Sequence, residues 1–379
     1  MARLKIGFFG FGYVAATLTC GIERVKAGEI DLTGVPLENR IPGCNVEEIE
    51  VVCGFDVDKK KIGKDVSSFI SMYPELKTMD SFDKIKIHQG VNLNSAEGMP
   101  FKTESIDDNH TLYECAKIIV ERIIEEDLDC TITVTATEEI YDVDSVSALE
   151  AIIKEDRKDK ITASMFYAYC AFLAAKKRER GIVHINGIPS KIANSPVFSE
   201  LSEKSGSVLI GDDISSGQSR LLSDLMEHYK EINRTILSAV GANWGGNMDF
   251  YRLQDEKRNE SKKITKTGCA KDILGYDMPS DIKPHAYLQN LGDKKAIFMH
   301  FPMKLFNGAE DEIYICGRIN DSPAAAGMLI DMGRLGALAV SRGESGVNAT
   351  INSFYCKWFG KQHSKILAYQ KLIGWVKDN

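Results

Sequence analysis

The sequence has no Cys-x-x-Cys pair, no apolar run long enough to span a bilayer and no surplus of basic residues. Each absence removes a class. The nine cysteines, at 20, 44, 53, 115, 130, 170, 269, 316 and 356, are scattered over 379 residues, which argues against the disulfide framework of a small secreted chain. The same spacing argues against zinc, whose sites are usually read from close ligand pairs. Cys53, Cys130 and Cys316 fall in apolar, strand-like runs, so buried free thiols in a reducing compartment are expected. The longest unbroken apolar stretch, 165–175, is eleven residues, against the ~20 a membrane helix needs. Lys and Arg number 47 against 54 Asp and Glu, a net charge of −7, the wrong sign for neutralising a nucleic-acid backbone. The opening MARLKIGFFGFG runs straight into a strand without a signal peptide's cleavage region. These features imply a soluble, cytoplasmic chain with neither nucleic-acid nor membrane partners.

What remains is an ordinary globular composition, 44% hydrophobic and 27% charged. The length suits two or three domains at roughly 100–200 residues each. The first half alternates strand and helix signals. Residues 4–9 and 50–55 read as buried strands, 129–136 (DCTITVTA) as a β-branched strand and 181–185 as another. Helices are expected at 14–26, 145–157 and 162–180. Such alternation implies a parallel sheet with crossovers, and near-continuous apolar strands imply that both faces are covered. Later, 288–290 and 295–306 lead through Asn307-Gly308 into 312–319, the pattern of an antiparallel hairpin. A helix follows at 323–341, with Asp321 or Ser322 as its cap and Pro323 in its first turn. The fold class is therefore α/β, a Rossmann-like parallel-sheet domain (1–200) with an inserted α/β domain (201–320). The C-terminal segment (321–379) returns to the first domain.

Gly10-Phe11-Gly12-Tyr13-Val14-Ala15 fits G-x-G-x-x-A between a strand and a helix. Gly10 permits a tight turn, Gly12 lets a pyrophosphate approach the backbone, and Ala15 allows close helix–strand packing at the helix's phosphate-binding end. Asp56, in GFDVD, stands where an acid would bind the ribose hydroxyls and favour NAD over NADP. It is much further along the chain than usual, so an insertion must separate the two.

Three later segments concentrate chemistry. In GDDISSGQ (211–218), acids, hydroxyls and a glycine at a helix start could present amides to an anion or simply cap the helix through Asp213 or Ser215. GGNMDF (245–250) precedes ESKKITKT (260–267), where Lys262 and Lys266 share one face if helical. Paired ammonium groups repel and favour the neutral form, and they also make a phosphate clamp or a solvated basic face. The third segment runs from GDKK (292–295) to NDSP (320–323), with Lys357 further on among aromatic and apolar neighbours.

Together GFGYVAAT (10–17), FDVDKKKIG (55–63), GDDISSGQ, GGNMDF, ESKKITKT, NDSPAAAG (320–327) and RLGALAVSRG (334–343) resemble the myo-inositol-1-phosphate synthase family, nearly end to end, and its archaeal and actinobacterial branch most. The resemblance implies a modified Rossmann domain, a catalytic α/β domain that also makes a homotetramer, and NAD as cofactor. The implied activity is conversion of D-glucose 6-phosphate to an inositol phosphate without net redox change, a step in inositol and phospholipid biosynthesis. Asp213, Asp249, Lys262, Lys266, Lys295, Asp321 and Lys357 match the family's active-site residues. Ser216, Gly217 and Gln218, with Lys266, match its substrate-phosphate segment. Gly10, Gly12, Tyr13, Val14, Asp56, Thr135, Ala136, Asp213, Asp321 and Ser322 match its cofactor contacts. The implied roles put Lys262 at proton transfer to the C5 oxygen, relayed by Asp321, and Lys295 and Lys357 at the enolate and aldolate oxygens. A divalent or monovalent cation stays open, since no ligand cluster is legible. Tyr13 stands where the family commonly has Asn or Gly, TVTATEE (133–139) replaces its Pro/Gly turn, and Trp-Phe-Gly follows Lys357 where the short branch has Ser-Pro-Pro. A related NAD-dependent enzyme acting on another sugar phosphate, an ordinary NAD-dependent dehydrogenase that releases NADH and a silent NAD-binding relative remain alternatives.

Overall fold

The computed structural model describes residues 3–73, 75–254, 273–357 and 364–378. Its first sheet has seven parallel strands in the order β12-β6-β5-β4-β1-β2-β3. They are β1 (Leu4–Phe9), β2 (Ile49–Asp56), β3 (Lys86–Gln89), β4 (Cys130–Thr133), β5 (Val183–Asn186), β6 (Val208–Ile210) and β12 (Gly346–Val347). β1, β4, β5 and β6 are buried along almost their whole length, as near-continuous apolar runs require. One face is covered by α1 (Tyr13–Lys26) and α8 (Asp321–Ser341), which pack together. The other is covered by α2 (Leu112–Glu125) and α4 (Ala163–Lys177), with α3 (Val146–Lys154) and α5 (Pro196–Lys204) beside them.

A second sheet has the order β11-β10-β8-β9, with β7 (Thr235–Ile236) also paired to β10. β8 (Ala239–Gly245) runs parallel to β9 (Ser280–Tyr287). β10 (Lys294–Lys304) and β11 (Glu310–Asn320) form the antiparallel hairpin, with Asn307 and Gly308 both at positive φ in its turn. α6 (Gly217–Glu231) supplies Leu222 and Met226 to the small core on this sheet. The short α7 (Met248–Arg252) follows β8. α9 (Ala349–Tyr355) and α10 (Lys365–Lys377) pack on each other and close the chain against the first core.

Several expectations shift. β6 pairs with β5, so the chain leaves the first sheet after Ile210 and not at 200. The strand read at 288–290 ends before it, at Tyr287, and Gln289–Leu291 is a 3-10 turn. Cys316 is exposed, because β11 is an edge strand with only partial cover. The cap of α8 is Asn320, and Ser322 N donates instead to Asp293 Oδ2 at 2.9 Å. By length and composition α8 could cross a membrane. Here it is a core helix, with Asp331 and Arg334 paired inside the protein.

Candidate active site

The glycine turn sits at the C-terminal edge of the parallel sheet, where open α/β folds bind ligands. Gly10 has φ +86°, and a Cβ there would lie 3.0 Å from Thr135 N and Val134 O, so the turn from β1 requires glycine. Gly12 is the N-cap of α1 and gives its first amides no side-chain acceptor, and no heavy atom lies within 4 Å of where its Cβ would be. That leaves room for a phosphate at the positive end of the helix dipole, beside Tyr13 and Val14. Past β4, Thr135 and Ala136 are half-buried, and Thr135 Oγ1 has no partner among the described residues. An open cradle, a helix end and an orphaned hydroxyl fit a dinucleotide.

Asp56 ends β2 at the expected place, but the chain itself engages its carboxylate. Oδ1 accepts from Val57 N (2.7 Å) and Asp58 N (2.9 Å); Oδ2 accepts from Phe11 N (3.0 Å) and Lys61 Nζ (3.1 Å). Lys61 Nζ also donates to Phe11 O at 3.0 Å. Burial alone would raise the Asp56 carboxyl, but the Lys61 ammonium and the amide donors hold it below its ordinary range. Asp56 and Lys61 thus clamp the peptide between the two glycines. Tyr13 meets Tyr73 edge to face at 5.0 Å, and burial, with the Glu75 and Asp293 charges, pushes its hydroxyl up to about 12.

The second sheet brings its residues to the same edge. Lys295 Nζ lies 2.8 Å from Asp321 Oδ2 and 5.2 Å from the Phe250 ring centroid. Asn247, the N-cap of α7, donates to Asp321 Oδ2 at 3.5 Å. Asp249 accepts from Thr137 Oγ1 at 2.7 Å, which ties the loop after β4 to the second sheet. Asp293 accepts from Ser322 N and, at 2.6 Å, from Ser322 Oγ; burial raises its carboxyl against those bonds.

A second ion pair forms in the loop that leads into α6. Lys357 Nζ donates to Asp213 Oδ1 at 2.8 Å, and Lys357 N donates to Asp213 O at 2.8 Å. The neighbouring Asp212 is fully buried, and burial pushes its carboxyl up to about 6 although Asn186, Ile192, Ala193 and Asn194 all donate to it. Asp212 is therefore the acid that shapes this loop, while Asp213 faces Lys357. Neither Asp213 nor Ser215 caps α6; Ser216 does, and without a side-chain bond, so the amides of Gly217 and Gln218 begin the helix with no side-chain cap. The Gln218 side chain is held by Asn243 and points its amide toward Ala242 O. Lys262 and Lys266 lie outside the described residues.

Lys61, Thr137, Asn247 and Asp293 escaped the sequence reading, although all four sit within quoted segments: Lys61 in FDVDKKKIG, Thr137 in TVTATEE, Asn247 in GGNMDF and Asp293 in GDKK. Their signal was proximity to residues already suspected. Lys61 finds Asp56 within its own segment and Phe11 far from it; the partners of the other three come from remote segments and could not be read locally.

The myo-inositol-1-phosphate synthase family model matches residues 217–322. A solved structure of a myo-inositol-1-phosphate synthase-related protein from Thermotoga maritima is 39% identical, with a TM-score of 0.93, and the match covers 99% of this chain and 98% of that one. This chain belongs to the myo-inositol-1-phosphate synthase family. An inositol-3-phosphate synthase of Mycolicibacterium smegmatis is 25% identical across 99% of this chain and 98% of its own length. An inositol-3-phosphate synthase from Caenorhabditis elegans shares the fold, with a TM-score of 0.83 at 16% identity, covering 99% of this chain and 86% of that one. Membership places the chain in an enzyme family, and it puts GDDISSGQ, GGNMDF and NDSP in that family's context instead of leaving them as isolated turns.

Proposed function

We propose that this chain cyclises D-glucose 6-phosphate to 1D-myo-inositol 3-phosphate with NAD bound and no net redox change. The observation that carries the reading is the pair of lysine–carboxylate contacts, Lys295–Asp321 and Lys357–Asp213, at the edge that also bears the glycine turn. NAD, when bound, supplies a hydride acceptor that returns what it takes. Gly10, Gly12, Tyr13, Val14, Thr135, Ala136 and Ser322 hold it. Lys295 and Lys357 stabilise negative charge as it develops on the C5 and C1 oxygens, and Asp321 and Asp213 fix where those ammonium groups lie. Lys262 moves the proton at the C5 oxygen, and Asp321 is the acid that relays it. Asp249, held by Thr137, orients the sugar. The first turn of α6, from Ser216, Gly217 and Gln218, anchors the phosphate with Lys266, so that C6 is brought to C1. A cytoplasmic homotetramer serving inositol and phospholipid synthesis belongs to the same proposal.

A second reading keeps the chemistry and changes the sugar phosphate. Tyr13 favours it, since a phenol packed on Tyr73 stands at the start of α1 where the family commonly has Asn or Gly. Rapid mixing with glucose 6-phosphate separates the readings by NADH absorbance. The first predicts a transient that decays as product forms. Stoichiometric accumulation would show a dehydrogenase, and no signal would move the reading to another sugar phosphate.

Two substitutions test the supporting geometry. Lys61→Met removes a charge-assisted bond from the clamp on Phe11, and NAD affinity is expected to fall about tenfold, or ~1.4 kcal/mol, by fluorescence titration. Gly217 has φ +54°, and a Cβ there would come within 2.7 Å of Ile319 Cδ1. Gly217→Ala is expected to cost about 1–2 kcal/mol of stability. It should also raise KM for the sugar phosphate more than it lowers kcat, as steady-state kinetics would show.

A further inference from the structure

The α2–α4 face of the first sheet carries a cluster that the proposed chemistry does not use. The Cys53 thiol on β2, the His88 imidazole on β3 and the carboxylate of Glu126, the C-cap of α2, offer ligand atoms that all lie within 4.8 Å of one another. His88 Nε2 and Glu126 Oε1 are 2.9 Å apart. Cys53 is fully buried, and the other two are half-buried. We propose that Cys53, His88 and Glu126 bind one divalent cation of the zinc type.

The donor set suits such an ion: one thiolate sulfur, one imidazole nitrogen and one carboxylate oxygen. The charges suit it too, because thiolate and carboxylate together neutralise a 2+ ion while the imidazole stays neutral, so no net charge is buried. Tetrahedral zinc with bonds of about 2.0–2.3 Å separates its ligand atoms by about 3.3–3.6 Å. Binding would therefore part His88 from Glu126 by a few tenths of an ångström and draw Cys53 in by little more than one. Adjacent strands already fix two of the ligands, since Cys53 pairs with Lys86 and Phe55 with His88 in register. A cavity of about 220 Å³ has His88, Ser105, Asn109 and His110 in its wall, and a water would complete the four ligands. Arg122, a cation in the same wall, is paired with Glu125 at 2.9 Å. The bound ion would tie α2 to β2, the strand that ends in Asp56. Sequence spacing had argued against zinc; the fold, not a local motif, assembles these ligands.

The test is a Co²⁺ titration of the full chain after chelator treatment. One equivalent is expected to give a thiolate-to-cobalt charge-transfer band and four-coordinate visible bands, both abolished by Zn²⁺. Cys53→Ser should lose the charge-transfer band, and Cys316→Ser and Cys269→Ser should keep it. His88→Gln and Glu126→Gln should weaken Co²⁺ at least about tenfold. No band at stoichiometric Co²⁺, or a band that survives Cys53→Ser, overturns the proposal. If Cys53→Ser does not fold, an unchanged Co²⁺ affinity in His88→Gln overturns it.

Discussion

Lys295→Met and Lys357→Met are each expected to lower kcat about 10²–10³-fold, the loss that follows removal of one preorganised donor to a developing oxyanion. NAD affinity should stay within a factor of about two, because neither side chain contributes to the glycine turn. Each ammonium is held at 2.8 Å from a carboxylate, with 15% of the Lys295 side chain and 12% of the Lys357 side chain exposed, so each is fixed yet reachable. Removing Lys295 leaves Asp321 with Asn247 and with 22% exposure, enough for water to solvate the charge, so the fold should survive. Lys357→Met is the harsher change, because the Asp213 side chain is only 6% exposed. Lys357→Met with Asp213→Asn therefore serves as its folding control. Single-turnover kinetics and circular dichroism together decide the point. Near-normal turnover in a folded single variant removes that lysine from the chemistry.

Arg334→Met is expected to destabilise the protein by about 3–5 kcal/mol, measured as the shift in urea unfolding. Arg334 and Asp331 are both fully buried on α8 and form an ion pair there. Asp331 also accepts from Leu37 N at 2.7 Å and from Tyr355 Oη at 2.8 Å, while Arg334 Nη1 reaches Cys44 O at 3.4 Å. One pair thus fastens the long loop after α1 and the end of α9 to the central helix. Removing the cation strands a carboxylate in the core. Burial already raises the Asp331 carboxyl, with Arg334 the main opposing influence, so the variant's carboxyl should rise further. A carboxyl raised on folding binds its proton more tightly in the native state. Stability is then lost as pH rises from the unfolded value of about 4 through the raised native value. The deficit of Arg334→Met should accordingly shrink as pH is lowered through that window. A deficit independent of pH would show that lost packing, and not the stranded charge, dominates.

How much the sequence disclosed depended on whether the cause was local. The glycine turn, the buried strands and the Asn-Gly hairpin were legible because a few adjacent residues set each one. Thr162 caps α4 and Ser145 caps α3, each the first residue of a segment expected to be helical. α2 was not read, although Thr111 and Glu114 form a capping box at its start. The missed boundary at β6 has a different cause: a strand's sheet is chosen by its partner, and Val208–Ile210 is too short to declare one. The same applies to the site. Lys295 and Asp321 sit at opposite ends of a hairpin whose register brings them together, and Asp213 meets Lys357 from a distant helix end. The motifs named these residues, and tertiary pairing decided which acid serves which lysine. Asp56 shows the reverse, since its position was foreseen but its partners, Phe11 and Lys61, were not.

The most direct test of the central claim is ³¹P NMR of the purified chain incubated with glucose 6-phosphate and catalytic NAD. The account predicts a new resonance from an inositol monophosphate, formed over many turnovers without net NADH. Unchanged glucose 6-phosphate in the presence of bound NAD, or turnover only when NAD is supplied stoichiometrically, would contradict it.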